Sequence, residues 1–359
     1  MSAQGSNVLF LAMCALDYIN KGPQVRIWSL LQAMRETATI AFISGERRER
    51  RRATLDYLRG SSLDDITGLY VENSTSWAIT TDFALMLACK RRHIPVVTYI
   101  RDAYPLFPET MREIPMHKRI VSSLLWRLSM VGYFRLSDRL AFQSQSFANL
   151  FQDLPASRKI ILEPAANILT PPSISPDANA ILYTGNASSP RFGVEMLVQA
   201  AEIARRDIPY LKCLLVCHGL PPKILYQNRP WVEVSSQKSD DIPALLSSTR
   251  VVVNPLRQAT YHHLQMPIKV MNYLSYGRPM LVTPCREIAR FVEENQLGLV
   301  VDDNPESMAE GIRRLFTADL DELNRMGQNA LRAVREKHSW RHRAQQILGT
   351  FEEIRRRDA

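Results

Sequence analysis

Lys269 and Asn272 lie three residues apart in the segment PIKVMNYLSYGRPMLVTP, which spans residues 267–284. Residues three apart on a helix share one face, so an ammonium and an amide would be presented together. A cation in the first turn of a helix opposes the positive end of the helix dipole unless an anion binds both the cation and the free N–H groups there. The pair predicts a site for an anion and a hydroxyl-bearing group. A solvated lysine beside a polar surface asparagine stays open as the alternative.

The element that carries this pair reads as a short helix followed by a buried strand. Pro267 suits the first helical position, and Gly277 suits the residue just past the helix end. The MLVT that follows is an apolar run typical of a strand. We therefore expect a helix over about 268–276, with Lys269 in its first turn.

Length, composition and charge narrow the class of protein. A chain of 359 residues favours two domains, since single cores rarely grow beyond roughly 250–300 residues. The net charge of +9 favours an anionic partner, such as membrane lipid, nucleic acid or a phosphorylated substrate. The five cysteines are scattered and odd in number, which predicts a reduced, cytoplasmic setting without disulfides or structural zinc. No apolar run is long enough to cross a bilayer, and the first one lacks preceding positive charge, so we interpret it as a strand.

Short apolar runs alternate with helical patterns in both halves of the chain, for example NVLFLA and VVTYI in the first and AILYTG and RVVVNP in the second. Strands that read as continuous apolar runs between helices are typical of parallel sheets covered on both faces. We predict two doubly wound α/β domains, joined by the proline-rich linker of residues 163–180. Ligands of such sheets bind beyond the carboxyl ends of the strands, so a shared ligand is expected in a cleft between the domains.

Several segments, in order, resemble glycosyltransferase family 4, within the group 1 glycosyl transferases. PIKVMNYLSYGRPMLVT is similar to that family's P-x-K-x-x-E-Y-x-x-x-G-x-P block, and GLVVDDNPESMAEGIRRLF to its G-L-x-V-x-x-x-x-P-x-x-x-A block. ILYTGNASSPRFGVEMLVQA, NKGPQVRIWSLLQAM and YIRDAYP are weaker matches. The resemblance implies the GT-B fold, with two Rossmann-like domains facing each other across a cleft. It implies an acceptor-side domain over 1–165, a nucleotide-sugar-binding domain over 166–339, and a last helix over 340–359 that crosses back to the first domain.

The resemblance also implies an activity. It is the transfer of a sugar, with retention of anomeric configuration, from a nucleotide-sugar to a glycan, glycolipid or lipid-linked acceptor, as in surface polysaccharide biosynthesis. No metal or other cofactor is expected. Breaking the anomeric bond puts negative charge on the departing diphosphate, so fixed cations aimed at it stabilise the transition state.

The matching motifs carry the implied site residues. Lys269 and Arg191 are implied to approach the diphosphate, and Gly22 to let a loop backbone come close to the diphosphate or the sugar. Asn272 stands where the family usually has a glutamate that binds the ribose hydroxyls. Asp102, directly after the strand VVTYI, is the acidic candidate for orienting the acceptor hydroxyl or the transferred sugar. A loop aspartate that caps the next turn is the alternative.

Two departures from the family pattern keep a second function open. Leu264 stands where the fuller motif has another glutamate, and Phe192 stands where the phosphate loop usually has a lysine. An amide such as that of Asn272 accepts weaker hydrogen bonds than a carboxylate. Asn272 and Leu264 favour the alternative of a non-catalytic GT-B-like protein that binds a nucleotide-sugar or anionic glycan as a partner subunit.

Two further segments bear on partners. Residues 116–136 combine basic residues with Leu, Trp, Phe and Tyr, as in a helix that lies on an anionic membrane surface, although a core helix fits as well. The first interpretation places the protein peripherally at the inner face of a membrane.

The run RRERRR of residues 47–52 is interpreted as a solvated loop and helix start. No nucleic-acid partner is expected, because no aromatic platform accompanies the run.

Overall fold

The chain forms two compact α/β units in a computed structural model that describes residues 6–17, 19, 22–61, 63–73, 78–112, 114–236 and 242–358. The N-terminal unit comprises Met1–Glu163 together with Trp340–Ala359, and the C-terminal unit comprises Pro164–Ser339. Each unit holds one six-stranded sheet whose strand pairs are all parallel. The predicted class, two doubly wound parallel-sheet domains, is confirmed.

The sheet of the N-terminal unit has the order β2-β1-β3-β4-β5-β6. Its strands are β1 (Ser6–Ala12), β2 (Ala38–Ile43), β3 (Gly68–Glu72), β4 (Val96–Ile100), β5 (Arg139–Phe142) and β6 (Lys159–Ile161). Its helices are α1 (Gly22–Arg35), α2 (Arg47–Gly60), α3 (Thr80–Arg91), α4 (Met116–Leu136), α5 (Gln145–Ala148) and the last helix of the chain, α12 (Trp340–Asp358). Short 3-10 turns lie at Tyr104–Leu106, Pro108–Met111 and Ala156–Arg158.

Helix α12 is part of this first unit through both packing and polar contacts. The ring of Phe351 lies so close to Gly68 that a Cβ there would come within 2.5 Å of it. Arg343 donates from Nε to the carbonyl oxygen of Glu163 at 2.8 Å and pairs with its carboxylate at 3.2 Å. The end of the chain is therefore held at the point where the chain leaves the N-terminal unit.

The sheet of the C-terminal unit has the order β12-β11-β10-β7-β8-β9. Its strands are β7 (Ala180–Asn186), β8 (Lys212–Gly219), β9 (Val232–Ser235), β10 (Thr249–Asn254), β11 (Met280–Val282) and β12 (Gly298–Val300). Its helices are α6 (Val194–Ala204), α7 (Ile242–Leu245), α8 (Ile268–Ser275), α9 (Arg286–Glu294), α10 (Pro305–Thr317) and α11 (Leu320–Ala333), with a π-helical turn at Val334–His338. Further 3-10 turns lie at Pro190–Phe192, Lys223–Leu225 and His262–Leu264.

Alternation along β10 explains why all three of its central residues, 251–253, are valines. Val251 and Val253 belong to the core beneath α6 and α10, whereas Val252 belongs to the core beneath α8 and α9. Successive strand residues point to opposite faces, so a sheet covered by helices on both sides needs apolar residues at every position.

The segment predicted as a linker is built into the C-terminal unit from residue 164 onward. The N–H of Ala166 donates to the carbonyl oxygen of His338 at 2.9 Å. The guanidinium of Arg278 donates to the carbonyl oxygen of Pro172, also at 2.9 Å. The hydroxyl of Ser275 donates to the carbonyl oxygen of Asn167. The predicted linker thus includes the boundary between the two units, and its residues pack against the C-terminal unit, because irregular backbone marked by prolines and small polar residues can still pack.

No described helix is long and apolar enough to span a membrane. All five cysteines are free thiols, and four of them are buried.

Candidate active site

Lys269 is the second residue of α8 and is held among aromatic groups. Pro267, extended at φ −68° and ψ 140°, precedes the helix rather than beginning it. The ammonium of Lys269 donates to the Tyr183 hydroxyl at 3.2 Å and lies 4.3 Å from the centroid of that ring. Burial lowers the pKa of Lys269 from 10.5 to about 7. Within the described ranges no carboxylate forms an ion pair with it, so the first turn of α8 presents a cation without an anion.

Two buried tyrosines fix α8 against the carboxyl ends of β7 and β10. The hydroxyl of Tyr183 donates to the carbonyl oxygen of Asn186 at 2.6 Å. The hydroxyl of Tyr273 donates to the carbonyl oxygen of Val253 at 3.1 Å and accepts the N–H of Thr184 at 2.9 Å. Burial raises the pKa of Tyr183 well above 10 and that of Tyr273 to about 12, so both stay neutral. Lys269 is therefore positioned by a neutral hydroxyl, that of Tyr183, which does not compete with an anion for its charge.

Arg191 lies in the 3-10 turn after β7 and shares an aromatic neighbour with Lys269. Its guanidinium carbon is 4.8 Å from the centroid of the Phe192 ring, and the Lys269 ammonium is 5.7 Å from the same centroid. The Arg191 side chain is exposed, and its carbonyl oxygen accepts the N–H of Arg257 at 3.0 Å. The structure thus brings two of the predicted diphosphate ligands to one aromatic ring. Phe192, a departure from the family pattern, supplies a face for both cations.

Gly193 explains how this turn comes so close to β10. Its φ of +71° is left-handed, and a Cβ there would lie 1.7 Å from the carbonyl oxygen of Pro255. Glycine is needed both for the backbone angle and for the missing side chain. The loop that carries Arg191 is consequently held directly against the residue that follows β10.

Asn272 and Leu264 differ in what they offer a ligand. Asn272 is half-buried on α8, and its amide makes no hydrogen bond to any part of the chain that the structure describes. Leu264 is buried in its 3-10 turn and offers no polar group. The two neighbouring histidines are tied to the backbone: His262 contacts the carbonyl oxygen of Arg257 at 2.6 Å, and His263 accepts the N–H of Arg286 at 3.1 Å.

Asn254, the last residue of β10, was given no role by sequence reasoning. It is fully buried, and neither its amide nitrogen nor its amide oxygen finds a partner among the described residues. Unpaired buried amides cost free energy and are rare in folded proteins. The segment VVVNPL was the signal available for it, since an asparagine that ends a buried strand lies where sheet ligands bind.

In the N-terminal unit, Glu72 is the centre of a buried polar network at the carboxyl end of β3. Its carboxylate accepts from Arg26 Nε at 2.9 Å, from the Tyr70 hydroxyl at 2.7 Å and from Arg101 Nη2 at 3.4 Å. Burial alone would lower the pKa of Arg26, but the Glu72 carboxylate together with the Tyr99 and Tyr70 side chains outweighs burial and raises that pKa. The Arg26 guanidinium also lies 3.7 Å from the centroid of the Tyr99 ring. Arg101, the residue before Asp102, is thus directed to Glu72.

Asp102 is buried two residues after β4, and its carbonyl oxygen accepts the indole N–H of Trp126 at 3.3 Å. Gly22 is the first residue of α1, one turn before Arg26. Residues 20 and 21 of the loop preceding it lie outside the described residues. Both candidates belong to the edge of the sheet where β1, β3 and β4 end, together with Glu72, which sequence reasoning missed.

The arginine run of residues 47–52 was expected to be solvated, but Arg50 is buried. It pairs with Asp82 through two contacts, Nε to Oδ1 at 3.0 Å and Nη2 to Oδ2 at 3.1 Å, and both side chains are buried. Its Nη1 also donates to the carbonyl oxygen of Gly45 at 2.9 Å. The other four arginines of the run are exposed, so one member fastens α2 to α3 while the rest face solvent.

Helix α4 exposes much of its apolar surface. Leu124 and Leu128 are 57% and 58% exposed, and Trp126 is only 7% exposed. The exposed apolar side chains recur along one side at helical spacing, and we call them the apolar stripe: Met116, Ile120, Leu124 and Leu128. Trp126 points to the core instead, so it is not the lipid contact that its residue type suggested.

No group of three or more His, Cys, Asp or Glu side chains among the described residues could hold a metal ion.

Residues 178–318 match the family described as glycosyl transferases group 1, and the matched segment lies within the C-terminal unit. Over these residues the C-terminal unit is similar to the group 1 glycosyl transferases. The predicted resemblance is confirmed at this level, as is the predicted class of enzyme, a glycosyltransferase. Membership of family 4 stays a prediction. No curated protein matched the sequence.

Solved structures match nearly the whole chain, over 94–98% of it. Sucrose-phosphate synthase from Thermosynechococcus elongatus is 12% identical, with 98% of this chain and 99% of that chain covered and a TM-score of 0.68. HepE of Anabaena in complex with UDP-glucose is 13% identical, with 97% and 99% covered and a TM-score of 0.67. WaaG, a glycosyltransferase involved in lipopolysaccharide biosynthesis, is 13% identical, with 94% and 98% covered and a TM-score of 0.66. These likenesses confirm the GT-B fold, and at such identities they show the fold alone.

Proposed function

We propose that the protein is a retaining glycosyltransferase that moves a sugar from a nucleotide-sugar to a glycan, glycolipid or lipid-linked acceptor in surface polysaccharide biosynthesis. The observation that carries the proposal is Lys269. Its ammonium lies in the first turn of α8, is partly desolvated and pairs with no described carboxylate. A donor diphosphate would supply the missing negative charge, assisted by the free N–H groups of that turn.

The chemistry assigned to the site follows from where charge develops. The bond between the anomeric carbon and the diphosphate oxygen breaks, the anomeric carbon bonds to the acceptor oxygen, and the bonding electron pair leaves with the diphosphate. Lys269 and Arg191 stabilise that growing negative charge more than they stabilise the bound donor. The leaving diphosphate takes the acceptor proton, so no protein base is required.

The remaining candidates are assigned to binding. Asn272, whose amide is unengaged among the described residues, is proposed to bond the ribose hydroxyls. Asp102 is proposed to orient the acceptor hydroxyl or the transferred sugar, and Gly22 to let the start of α1 approach the donor. Solved structures with the same fold hold UDP or UDP-glucose, so UDP-sugars are the first donors to test.

The test is thermal stabilisation by a panel of UDP-, GDP-, ADP- and CMP-linked sugars, because a ligand that binds the folded state raises its stability. The variant is Lys269→Ala, and the matched control is Lys223→Ala, an exposed lysine of the same unit. We expect one nucleotide class to stabilise the wild type and the control but not Lys269→Ala. An equal response from all three proteins would exclude Lys269 from the donor site.

The alternative, a non-catalytic partner subunit, is favoured by the buried, apolar Leu264 and the neutral Asn272. It predicts that the wild type binds no nucleotide-sugar, or binds one without releasing nucleoside diphosphate, and that Asn272→Glu gains a thermal response. Release of nucleoside diphosphate by the wild type would rule it out.

We further propose that α4 rests peripherally on an anionic membrane surface. The apolar stripe is exposed, and basic side chains such as Lys118 and Arg127 are exposed along the same helix. Apolar burial and attraction to anionic lipid act together in such helices. Flotation with phosphatidylglycerol vesicles should be lost in Leu124→Glu and retained in Ile224→Glu, an exposed apolar residue of the other unit. Flotation of both variants, or of neither, would refute this contact.

A further inference from the structure

A cavity of about 230 Å³ in the N-terminal unit is lined by an unusual set of charges. It lies where β5 begins and where α3, α4 and α12 end, away from the strand ends that carry Glu72 and Asp102. The charged side chains that line it are five cations and one carboxylate: Lys90, Arg135, Arg139, Arg158, Arg357 and Asp138. Like charges gathered in one place repel, so such a set needs either internal partners or an external anion.

Two of these cations have an internal explanation. The Lys90 ammonium donates to the carbonyl oxygen of Arg135 at 2.8 Å, and Arg158 Nη2 donates to those of Phe134 and Ser137, both at 2.6 Å. The carbonyl groups of the last helical turn have no partner within the helix, and the dipole makes that end negative. Lys90 and Arg158 therefore cap the C-terminus of α4.

Arg139 is only partly explained in this way, since its Nη1 donates to the carbonyl oxygen of Asp138 at 3.1 Å. It is 8% exposed, and its Nη2 makes no hydrogen bond to any residue in the described ranges. The carboxylate of Glu353 is 3.8 Å away, beyond hydrogen-bond distance, and accepts instead from Arg357 at 2.6 Å. A guanidinium N–H that is buried without an acceptor costs free energy. An acceptor in the cavity would remove that cost.

The cavity also adjoins the exposed side of α4. Leu128, Val131 and Arg135 follow one another there at spacings of three and four residues, and all three are exposed. Arg135 both ends this row and lines the cavity. A phosphate in the cavity would thus lie beside the apolar side chains, as a lipid headgroup lies beside its acyl chains.

We propose that this cavity is a binding site for a phosphate group, held by Arg139, Arg357 and Arg135, with the headgroup of an anionic lipid or free phosphate as its source. Arginine is suited to this ligand because its planar guanidinium donates two parallel hydrogen bonds to phosphate oxygens. The lipid form of the proposal rests on the membrane contact proposed for α4. The phosphate site itself depends neither on that contact nor on sugar transfer.

The experiment compares Arg357→Gln and Arg139→Gln with Arg356→Gln. Arg356 is a matched control, because it too pairs with the residue four positions earlier on α12, Glu352 at 3.4 Å, and does not line the cavity. Arg357 is exposed enough that its replacement leaves the fold intact, which keeps the test valid if Arg139→Gln unfolds. The probes are phosphatidylcholine vesicles with and without phosphatidic acid, and inorganic phosphate measured by calorimetry. The calorimetry uses a Lys269→Ala background, so that the donor site does not contribute.

We expect both cavity variants to weaken binding to phosphatidic acid vesicles about tenfold, the loss of one charge-assisted hydrogen bond, with no change in Arg356→Gln. Loss of inorganic phosphate binding without a change in vesicle binding would support the site with free phosphate as its ligand. If all three variants behave alike in both assays, the cluster serves only to cap α4 and the proposal is overturned. A failed donor site would appear in the nucleotide panel instead, so the two failures are separable.

Discussion

Replacing Lys269 by methionine should stabilise the protein while weakening donor binding. Methionine keeps the length of the side chain and its contacts with the aromatic rings but removes the charge. A pKa lowered from 10.5 to about 7 corresponds to a cost of about 5 kcal/mol for carrying the charge, at about 1.4 kcal/mol per unit. Because the side chain is only half-buried, solvent screening reduces this cost, and we expect a gain of about 1–3 kcal/mol.

The pH dependence of this gain has a definite sign. Between about pH 7 and pH 10.5 the unfolded chain holds a proton on Lys269 that the folded chain has released. The unfolding free energy of the wild type therefore rises with pH across that window. The advantage of Lys269→Met should be largest below pH 7 and should shrink towards pH 10.5.

The assay is urea unfolding of the wild type, Lys269→Met and Lys223→Met at pH 6 and pH 9, following the transition of the C-terminal unit. We expect Lys269→Met to be more stable than the wild type at pH 6, by a margin that falls at pH 9, and the control to show no such trend. Donor affinity should fall about tenfold to a hundredfold in Lys269→Met alone, as for a lost charge-assisted hydrogen bond. A variant less stable than the wild type at both pH values would refute the reasoning that this charge is held without an anion.

Three further predictions address the two units. Donor binding near pH 8 should take up a proton, because the diphosphate restores the lysine charge; calorimetry in two buffers of different ionisation enthalpy detects this, and equal heats would contradict it. Asp82→Asn should cost about 3–5 kcal/mol in urea unfolding because Arg50 is left buried without its charge partner, whereas a loss under 1 kcal/mol would show that solvent reaches the pair. Gly193→Ala should cost at least about 2 kcal/mol through its clash with Pro255, while Gly349→Ala, whose Cβ would meet nothing within 4 Å, should gain up to about 1 kcal/mol; equal effects would refute the close approach.

Local pattern was enough to predict much of the C-terminal unit. The apolar run of β10 predicted a strand buried on both faces, and the spacing of Lys269 and Asn272 placed them on one helix, which begins at Ile268 as expected. These features depend on residues within a few positions of each other. For the same reason, the glycine after α8 correctly predicted its end: Gly277 has a φ of +58°.

The buried ion pairs could not be predicted in this way. Glu72 and Arg26 are 46 residues apart, and they meet because β3 lies directly beside β1 in the sheet. Nothing in the sequence around either residue indicates that order of strands. The pairing of Arg50 with Asp82, across 32 residues, likewise depends on how α2 and α3 lie together.

For Arg50 a local signal did exist. Thr54, four residues later on α2, is also buried, so the inward face of the helix passes through Arg50. Composition alone does not distinguish the arginines of that run. Their positions around the helix do, because only Arg50 lies on the inward face. The inward face of helix α4 is harder to predict from the sequence, because apolar residues occur on all sides of this helix. Only the tertiary packing decides that Trp126 faces the core while Leu124 and Leu128 face outward.

The buried and half-buried cations of this chain fall into two groups. Some form a hydrogen-bonded ion pair with a carboxylate of the same chain, and others do not. Arg26 and Arg50 each have a buried carboxylate, and folding alone accounts for them. Lys269 lies against two aromatic rings, and Arg139 lines the cavity. Neither cation has a hydrogen-bonded carboxylate among the described residues. A desolvated charge without a hydrogen-bonded counter-charge lowers stability, so its persistence indicates a benefit that arises when an anion binds. By this argument the net charge of +9 does not by itself point to a partner. The half-buried Lys269 and the buried Arg139 do, and they point to phosphate in both units.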